Sequence, residues 1–394
     1  MKEKPPSHPF LLGAVTLLLL ACSLPLLESC TPEGSWDIIG HNLFLLEKPE
    51  WHRRIKLSVD NSSGTETLAD FPVLVSLDSS RIDYGECLPE GADLQFRALD
   101  GETVLPHEID TWNPLGTSSI WVRLAEIPAG STDTYFYLYY NSITPPEEPA
   151  PGAVWNDDYV GVWHLNEPGG ADGSTYSDST YNRLDAEGGV GSRTSPAGTG
   201  GKIGRGQDFS GMDTHRIDLP GSPLLDDLGP VTFSFWVYDY GAAAVGSERI
   251  IHKNRLDIRN GEQGGNPTLV FERTFSMNNL FKAFMNPWTY DTWDYVTLTW
   301  IGSDDEDDVL LYSNVPPPLG DFNRNDGIGT IETDSISNLT LGNTFWESSD
   351  NFNGIIDELR ISSVVRSAAW VDAQHRSMTD TMLTYSAPEE ITAR

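Results

Sequence analysis

The chain is short of cysteine, of positive charge and of long apolar runs, and each shortage excludes something. Three cysteines stand in 394 residues, Cys22, Cys30 and Cys87. Only Cys87 falls where the text reads as folded, so an internal disulfide framework is excluded. The 25 Lys and Arg are outnumbered by 58 Asp and Glu, for a net charge of −33 and a pI of about 4.3. Such a chain repels nucleic acid, whose phosphates require Lys and Arg, and stays soluble by self-repulsion. The 8 His are scattered. No His-Glu-x-x-His, Gly-x-Ser-x-Gly or phosphate-cradling glycine loop occurs. Beyond residue 22 no stretch approaches the ~18 apolar residues of a membrane-spanning helix. What is present in quantity is aromatic: 12 Trp, 14 Tyr and 15 Phe. That is enough to build sizeable cores and to exclude a disordered chain.

The N-terminus reads as an export signal. Lys2 and Lys4 precede an uncharged run from Phe10 to Ala21. Its length suits a signal-peptide core and is too short to span a bilayer. It ends in Leu19-Leu20-Ala21-Cys22, which resembles the bacterial lipobox; the alternative is an ordinary signal peptide with an incidental Cys. On the first reading Cys22 is lipidated and residues 23–50 form a tether. Ser23 after Cys22 resembles the outer-membrane sorting pattern. The expected location is the outer membrane or cell surface, otherwise the periplasm or medium, with membrane contact through the lipid anchor.

From Trp51 onward the text is of short strands. "IKLSV" (55–59), "FPVLVSL" (71–77), "IWVRLAEI" (120–127) and "TYFYLYY" (134–140) are rich in Val, Ile and aromatics, with turn residues between them. Tyr135, Tyr137 and Tyr139 share one face, and Phe136, Leu138 and Tyr140 the other. Prolines 145, 146, 149 and 151 mark residues 144–154 as a stiff linker. Further strands follow, and only 367–378 reads as a helix. The fold class is all-β: a sandwich-like domain over 51–143, then a large two-sheet sandwich over 155–385, then a tail at 386–394.

The segments "VGVWHLNE", "DSTYNRLDAEGG", "IGRGQDFSG", "VTFSFWVY", "DTWDYVTLTW" and "FNGIIDELRISSVVRS" resemble, in that order, the laminin-G-like, concanavalin A-like lectin/glucanase superfamily. That resemblance implies a jelly-roll sandwich and a glycan or glycoprotein ligand. Residues 51–142, with "DFPVLVSLD", "GADLQF", "LPHEIDTW" and "IPAGSTDTYFYLYY", resemble an uncharacterised bacterial domain often placed before such sandwiches. Some relatives are fused to proton-channel segments of biopolymer-transport type, which this sequence does not contain.

The stretch "LPHEIDTWNP" poses the question of catalysis. Retaining glycosidases of the lectin-like sandwich carry Glu-hydrophobe-Asp-x-x-Glu on one strand, because two carboxylates must flank the sugar. Here Glu108 and Asp110 share a face, but Asn113 stands where the next carboxylate is needed. The two acids are therefore expected to be exposed strand positions beside Trp112, and the protein not an enzyme. For calcium, Asp178 and Asn182 in "DSTYN" are the candidate ligands, and the resemblance implies a structural ion shared with Asp357. Tyr181 stands where Gly is more usual. In "NGIIDELRIS" a simple alternation places Asp357 with Ile355, Leu359 and Ile361, a costly place for an unpaired carboxylate. Either loop amides or the ion would satisfy it. Residues 321–332 have EF-hand-like oxygen spacing, but Asp326 replaces the turn Gly, so a polar loop is expected. The acidic run 304–308 reads as a solvated hairpin tip. For sugar contact, Trp346, Trp288 and Tyr290 lie in loops, where an exposed ring can stack on a pyranose. The expected function is an exported, non-catalytic binding protein for a polysaccharide or glycoprotein. The alternative is an envelope scaffold pairing with a biopolymer-transport or adhesion complex through its first domain; glycoside hydrolysis ranks third.

Overall fold

Strand text dominates because β-branched and aromatic residues alternate with polar ones, and the computed structural model is all-β. It describes residues 50–147, 152–210, 214–241, 248–345 and 350–391. The expected signal peptide, Cys22, the tether and Trp346 lie outside these. Among the described residues the one α-helix is Ala368–Met378. It is capped by Ser367, whose Oγ accepts from the Trp370 amide at 3.1 Å. No described helix is long and apolar enough to cross a membrane.

The first module is a small sandwich. One sheet runs Leu383–Tyr385, Trp51–Val59, Tyr135–Ser142, Gln95–Arg97, with Glu389–Glu390 also pairing with Trp51–Val59. The other runs Leu68–Leu77, Ser118–Ile127, His107–Thr111. Between them lie Ile55, Leu57, Val73, Val75, Phe96, Ile120, Val122, Phe136 and Leu138. The alternation read along Tyr135–Tyr140 holds: Phe136, Leu138 and Tyr140 enter this core, while Tyr135 and Tyr137 remain half-buried outside it.

The chain's end departs from the expected boundaries. Leu383–Tyr385 and Glu389–Glu390 add strands to the first module, where residues 386–394 were expected as a tail. Trp370, Ala373, Met382 and Leu383 join the first module's core. The helix also covers an open sheet edge. The Leu74 amide donates to Ser377 Oγ at 2.7 Å, and the Ser76 amide to the Tyr385 hydroxyl at 3.1 Å. An uncovered strand edge would offer these donors to another chain.

The second module is a larger sandwich. One sheet centres on Gly354–Ser362, flanked by Val231–Asp239, Arg205–Asp208 and Tyr159–Trp163. The facing sheet includes Asn266–Arg273, Leu256–Gln263 and Glu248–Lys253. Phe233, Phe235, Phe271, Leu298, Ile356 and Leu359 fill the space between them.

A third apolar cluster joins the modules. Leu74 and Trp121 of the first pack with Trp155, Tyr159, Val162, Trp236 and Tyr295. This explains why "FPVLVSL" and "IWVRL" read as nearly continuous apolar runs. Val73, Val75 and Val122 face the first core, and the intervening Leu74 and Trp121 face the seam.

Candidate functional site

The seam also holds charge. Glu108 and Asp110 sit on His107–Thr111, where strand alternation sends Ile109 toward the first core and the two acids to the other side. They are therefore not free surface groups, contrary to the expectation from sequence; the second module closes over them. Glu108 accepts from Ser179 Oγ at 2.5 Å and from Trp155 Nε1 at 2.9 Å. Its Oε2 lies 3.6 Å from His164 Nε2. Asn166 donates its amide to the Asp110 carbonyl at 2.9 Å and to Asp110 Oδ1 at 3.2 Å.

His164 follows the Tyr159–Trp163 strand, and its Nδ1 is 2.8 Å from Glu358 Oε1. Glu358 Oε2 accepts from Arg360 Nη2 at 2.6 Å. The Arg360 guanidinium lies 4.2 Å from the Trp121 ring centre and 4.9 Å from that of Trp155. The His164 ring stacks on Trp121 at 6.2 Å. Glu358 is fully buried and Arg360 is 1% exposed.

A backbone irregularity brings these groups together. Glu358 has φ of +55°, and the register of Gly354–Ser362 against Val231–Asp239 shifts at this point. Such a bulge re-aims the side chains that follow it. Ile356, Leu359 and Ile361 thus fill the sandwich core. The alternation that grouped Asp357 with Leu359 and Ile361 does not survive it. Asp357 Oδ2 accepts from the amides of Lys202 and Ile203 at 2.7 and 2.9 Å. Loop amides thus satisfy Oδ2 of Asp357, while Oδ1 has no hydrogen-bond partner.

The electrostatics follow from burial. Burial pushes Asp110 up to about 7, against the pull of His164. Burial, then the neighbouring Glu358 carboxylate, hold Asp357 well above the carboxylate range. Burial alone would lower His164, but Glu358 and Asp110 outweigh it and hold the imidazole well above its ordinary value. Burial would likewise raise Glu358, but His164 and Arg360 hold it below. One oxygen or nitrogen from each of Asp110, His164 and Glu358 lies within 4.8 Å of the other two.

The expected calcium ligands do not form a common cage. Asp178 accepts four hydrogen bonds, from the Val162, Thr180 and Leu184 amides and from Thr180 Oγ1, at 2.8–3.0 Å. Asn182 turns its amide nitrogen to the carbonyls of Tyr159 and Val160 at 3.2 and 2.9 Å. With Asp357 on its own loop amides, these residues do not fit a shared calcium. In the EF-hand-like stretch, Asp321–Asn325 is a strand, paired with Leu280–Met285. In the acidic run, Glu306 and Asp307 pair with Arg324 at 3.1 and 3.0 Å.

One candidate sugar contact is also placed differently. Trp288 is 4% exposed and donates Nε1 to Asp239 Oδ2 at 2.7 Å, so it is a core residue and not an open platform. Tyr290 is half-buried, and Trp346 lies outside the described residues. Replacing Trp288 with Phe is expected to lower stability by about 1–3 kcal/mol, because Asp239 loses a buried donor. Ligand affinity should not change. Chemical denaturation beside a binding assay checks both, and weaker binding at full stability would return Trp288 to the site.

Beside the buried charges opens a cavity of about 430 Å³. Leu94, His107, Ile109, Val154, Ser179 and Arg183 contribute to its walls, which draw on both modules. Tyr181, next to Arg183, is 57% exposed. Two stretches singled out in the sequence contribute to it, Glu108 from "LPHEIDTW" and Asp178 from "DSTYN"; its other stretches were marked by no site motif.

The profile of a domain of unknown function (DUF2341) matches residues 90–178, a span that includes Glu108, Asp110 and His164 and crosses from the first module into the second. A comparison with curated proteins finds no match. Among solved structures, the chain is similar to the binding domain of Paraclostridial Mosquitocidal Protein 1, at 14% identity and TM-score 0.41, over 56% of this chain and 52% of that one. It is similar to Domain 4 of AbnA, a GH43 extracellular arabinanase from Geobacillus stearothermophilus, in complex with arabinotriose, at 19% identity and TM-score 0.39, over 55% and 97%. A Trypanosoma rangeli sialidase is matched at 12% identity and TM-score 0.39, over 71% and 44%. The chain thus spans about half the length of the toxin binding domain. The likeness is one of coarse β-sandwich architecture.

Proposed function

We propose that this protein is an exported, non-catalytic binding protein for a polysaccharide or surface glycoprotein, with residues 155–385 a concanavalin A-like sandwich. The observation that carries the reading is the cleft at the seam: a concave, mostly apolar cavity with a few polar groups, where two modules meet. The non-catalytic part of the reading rests on Asn113, which stands where the glycosidase strand needs its next carboxylate. Both oxygens of Glu108 accept hydrogen bonds, from Ser179 and Trp155. Glu358 is shared between His164 and Arg360. Glu358 is fully buried, whereas Glu108 lines the cleft with its side chain 30% exposed. The lipid anchor at Cys22 belongs to the same proposal; an envelope protein partner for the first module belongs to the alternative, scaffold reading.

Affinity electrophoresis of the chain through gels containing neutral and acidic polysaccharides tests the reading. Retardation by at least one glycan is expected. Arg183→Gln at the cleft should raise that Kd at least about tenfold, a loss of about 1.4 kcal/mol. If no glycan or glycoprotein retards the chain, the reading falls.

A further inference from the structure

The seam cluster is short of positive charge. Glu108, Asp110, Asp357 and Glu358 are four carboxylates, and they face one guanidinium, Arg360, and one imidazole, His164. Four of its buried polar atoms have no hydrogen-bond partner: Arg360 Nε and Nη1, whose guanidinium lies over two indole rings, and Asp357 Oδ1 and His164 Nε2. His164 is 8% exposed and Asp357 fully buried, so solvent does little for the last two atoms. Buried polar groups left this way are costly.

We propose that Asp110, His164 and Glu358 form a binding site for one divalent transition-metal ion, of the zinc or manganese type, that fastens the two modules together. The donor set, one imidazole and two carboxylates, suits such an ion. The ligand atoms already lie within 4.8 Å of one another. An ion at ~2.0–2.2 Å from each would draw them somewhat closer, which side-chain rotation supplies.

What surrounds the three residues resembles the outer layer of a metal site. A ligating imidazole ordinarily donates its second ring N–H to a carboxylate, which fixes the tautomer. With Nδ1 on the ion, His164 Nε2 would donate to Glu108, now 3.6 Å away. Glu108 is itself held by Trp155 and Ser179. Glu358 keeps one oxygen on Arg360 and turns the other toward His164. Asp110 is clamped by Asn166, which arrives from the second module. The remaining ligand atoms are held only by one another or by a neighbouring hydroxyl, His164 Nδ1 by Glu358 Oε1 at 2.8 Å and Asp110 Oδ2 by Thr111 Oγ1 at 3.2 Å, and an ion would enter by displacing those contacts. The ligands come from both modules: Asp110 from the first, His164 and Glu358 from the second. The ion would therefore bind the docked arrangement and not either module apart. This inference does not depend on the glycan reading.

The test uses the full chain, dialysed against a chelator and then titrated with zinc or manganese chloride. One ion per chain is expected by calorimetry and by elemental analysis after gel filtration. At a hundredfold excess over Kd the melting temperature should rise by roughly 5–10 °C. Asp110→Asn keeps the shape of the side chain and should abolish both effects; His164→Gln should do the same. If Asp110→Asn does not fold, the elemental content of the unaltered chain decides. Absence of a bound ion, or uptake that persists in a folded Asp110→Asn, overturns the proposal and leaves a cluster neutralised by protons.

Discussion

Replacing Arg360 with alanine is expected to lower the stability of the protein by about 3–5 kcal/mol, the usual loss when one partner of a buried ion pair is removed. For a module of this size that is on the order of 10 °C in melting temperature. Glu358 is completely buried, and without Arg360 it keeps only His164 as a counter-charge. The guanidinium also lies over two indole rings, at 4.2 and 4.9 Å, and such a desolvated cation–π contact adds ~2 kcal/mol. The double replacement Glu358→Gln with Arg360→Met should recover much of the loss, since it removes both charges together. Urea denaturation of the two single variants and the double variant, in chelator, measures the coupling. A loss below about 1 kcal/mol for Arg360→Ala would mean that solvent reaches the pair and that the seam is not a dry ionic contact.

Such an effect could not have been anticipated from "GIIDELRIS" alone. Read by alternation, that stretch is a strand with Glu358 and Arg360 on one face and Asp357 among apolar residues on the other. In the structure all nine residues of Gly354–Ser362 are buried, because the sandwich core lies on one face and the first module on the other. The bulge at Glu358 then reverses the phase. Nothing in the residue types marks a left-handed φ at a glutamate. A signal was nevertheless present: three charged residues within an apolar run, in a chain where charge belongs on the surface, require partners. "LPHEIDTW" and "VGVWHLNE" offered two of those partners. His164 and Glu358 are 194 residues apart, so only the fold places them together.

The strands themselves were legible for a simpler reason. Alternating patterns such as Tyr135–Tyr140 record which face meets a core, and that information is local. The helix was legible in the sequence as 367–378, one residue from the observed Ala368–Met378. What it packs against was not. The strand that precedes it in sequence, Gly354–Ser362, belongs to the second module, while Trp370 and Ala373 fill the first. Trp288 misled for a related reason. Trp288 lies outside a strand, but the buried acceptor Asp239 draws its indole N–H inward.

The destination of the C-terminal helix carries the second large effect. Trp370→Ala is expected to cost about 3–5 kcal/mol, as for other buried aromatic truncations. Trp370 is 5% exposed and packs edge-on against Phe71 at 4.8 Å. Arg366 covers its other side, with the guanidinium 4.1 Å from the ring centre. The cavity left by alanine would open toward the first module's core and not the sandwich that precedes the helix in sequence. The loosened helix would also release its hold on the Leu74 amide through Ser377. Hydrogen exchange resolved by peptide should therefore show the greatest loss of protection within residues 68–77 and 118–127, some 250 to 300 positions from the substitution. The strands Asn266–Arg273 and Leu256–Gln263, on the far sheet of the second module, should keep theirs. Loss confined to the helix and those far strands, with residues 68–127 unchanged, would show that the helix serves its own module and that the first module stands without it.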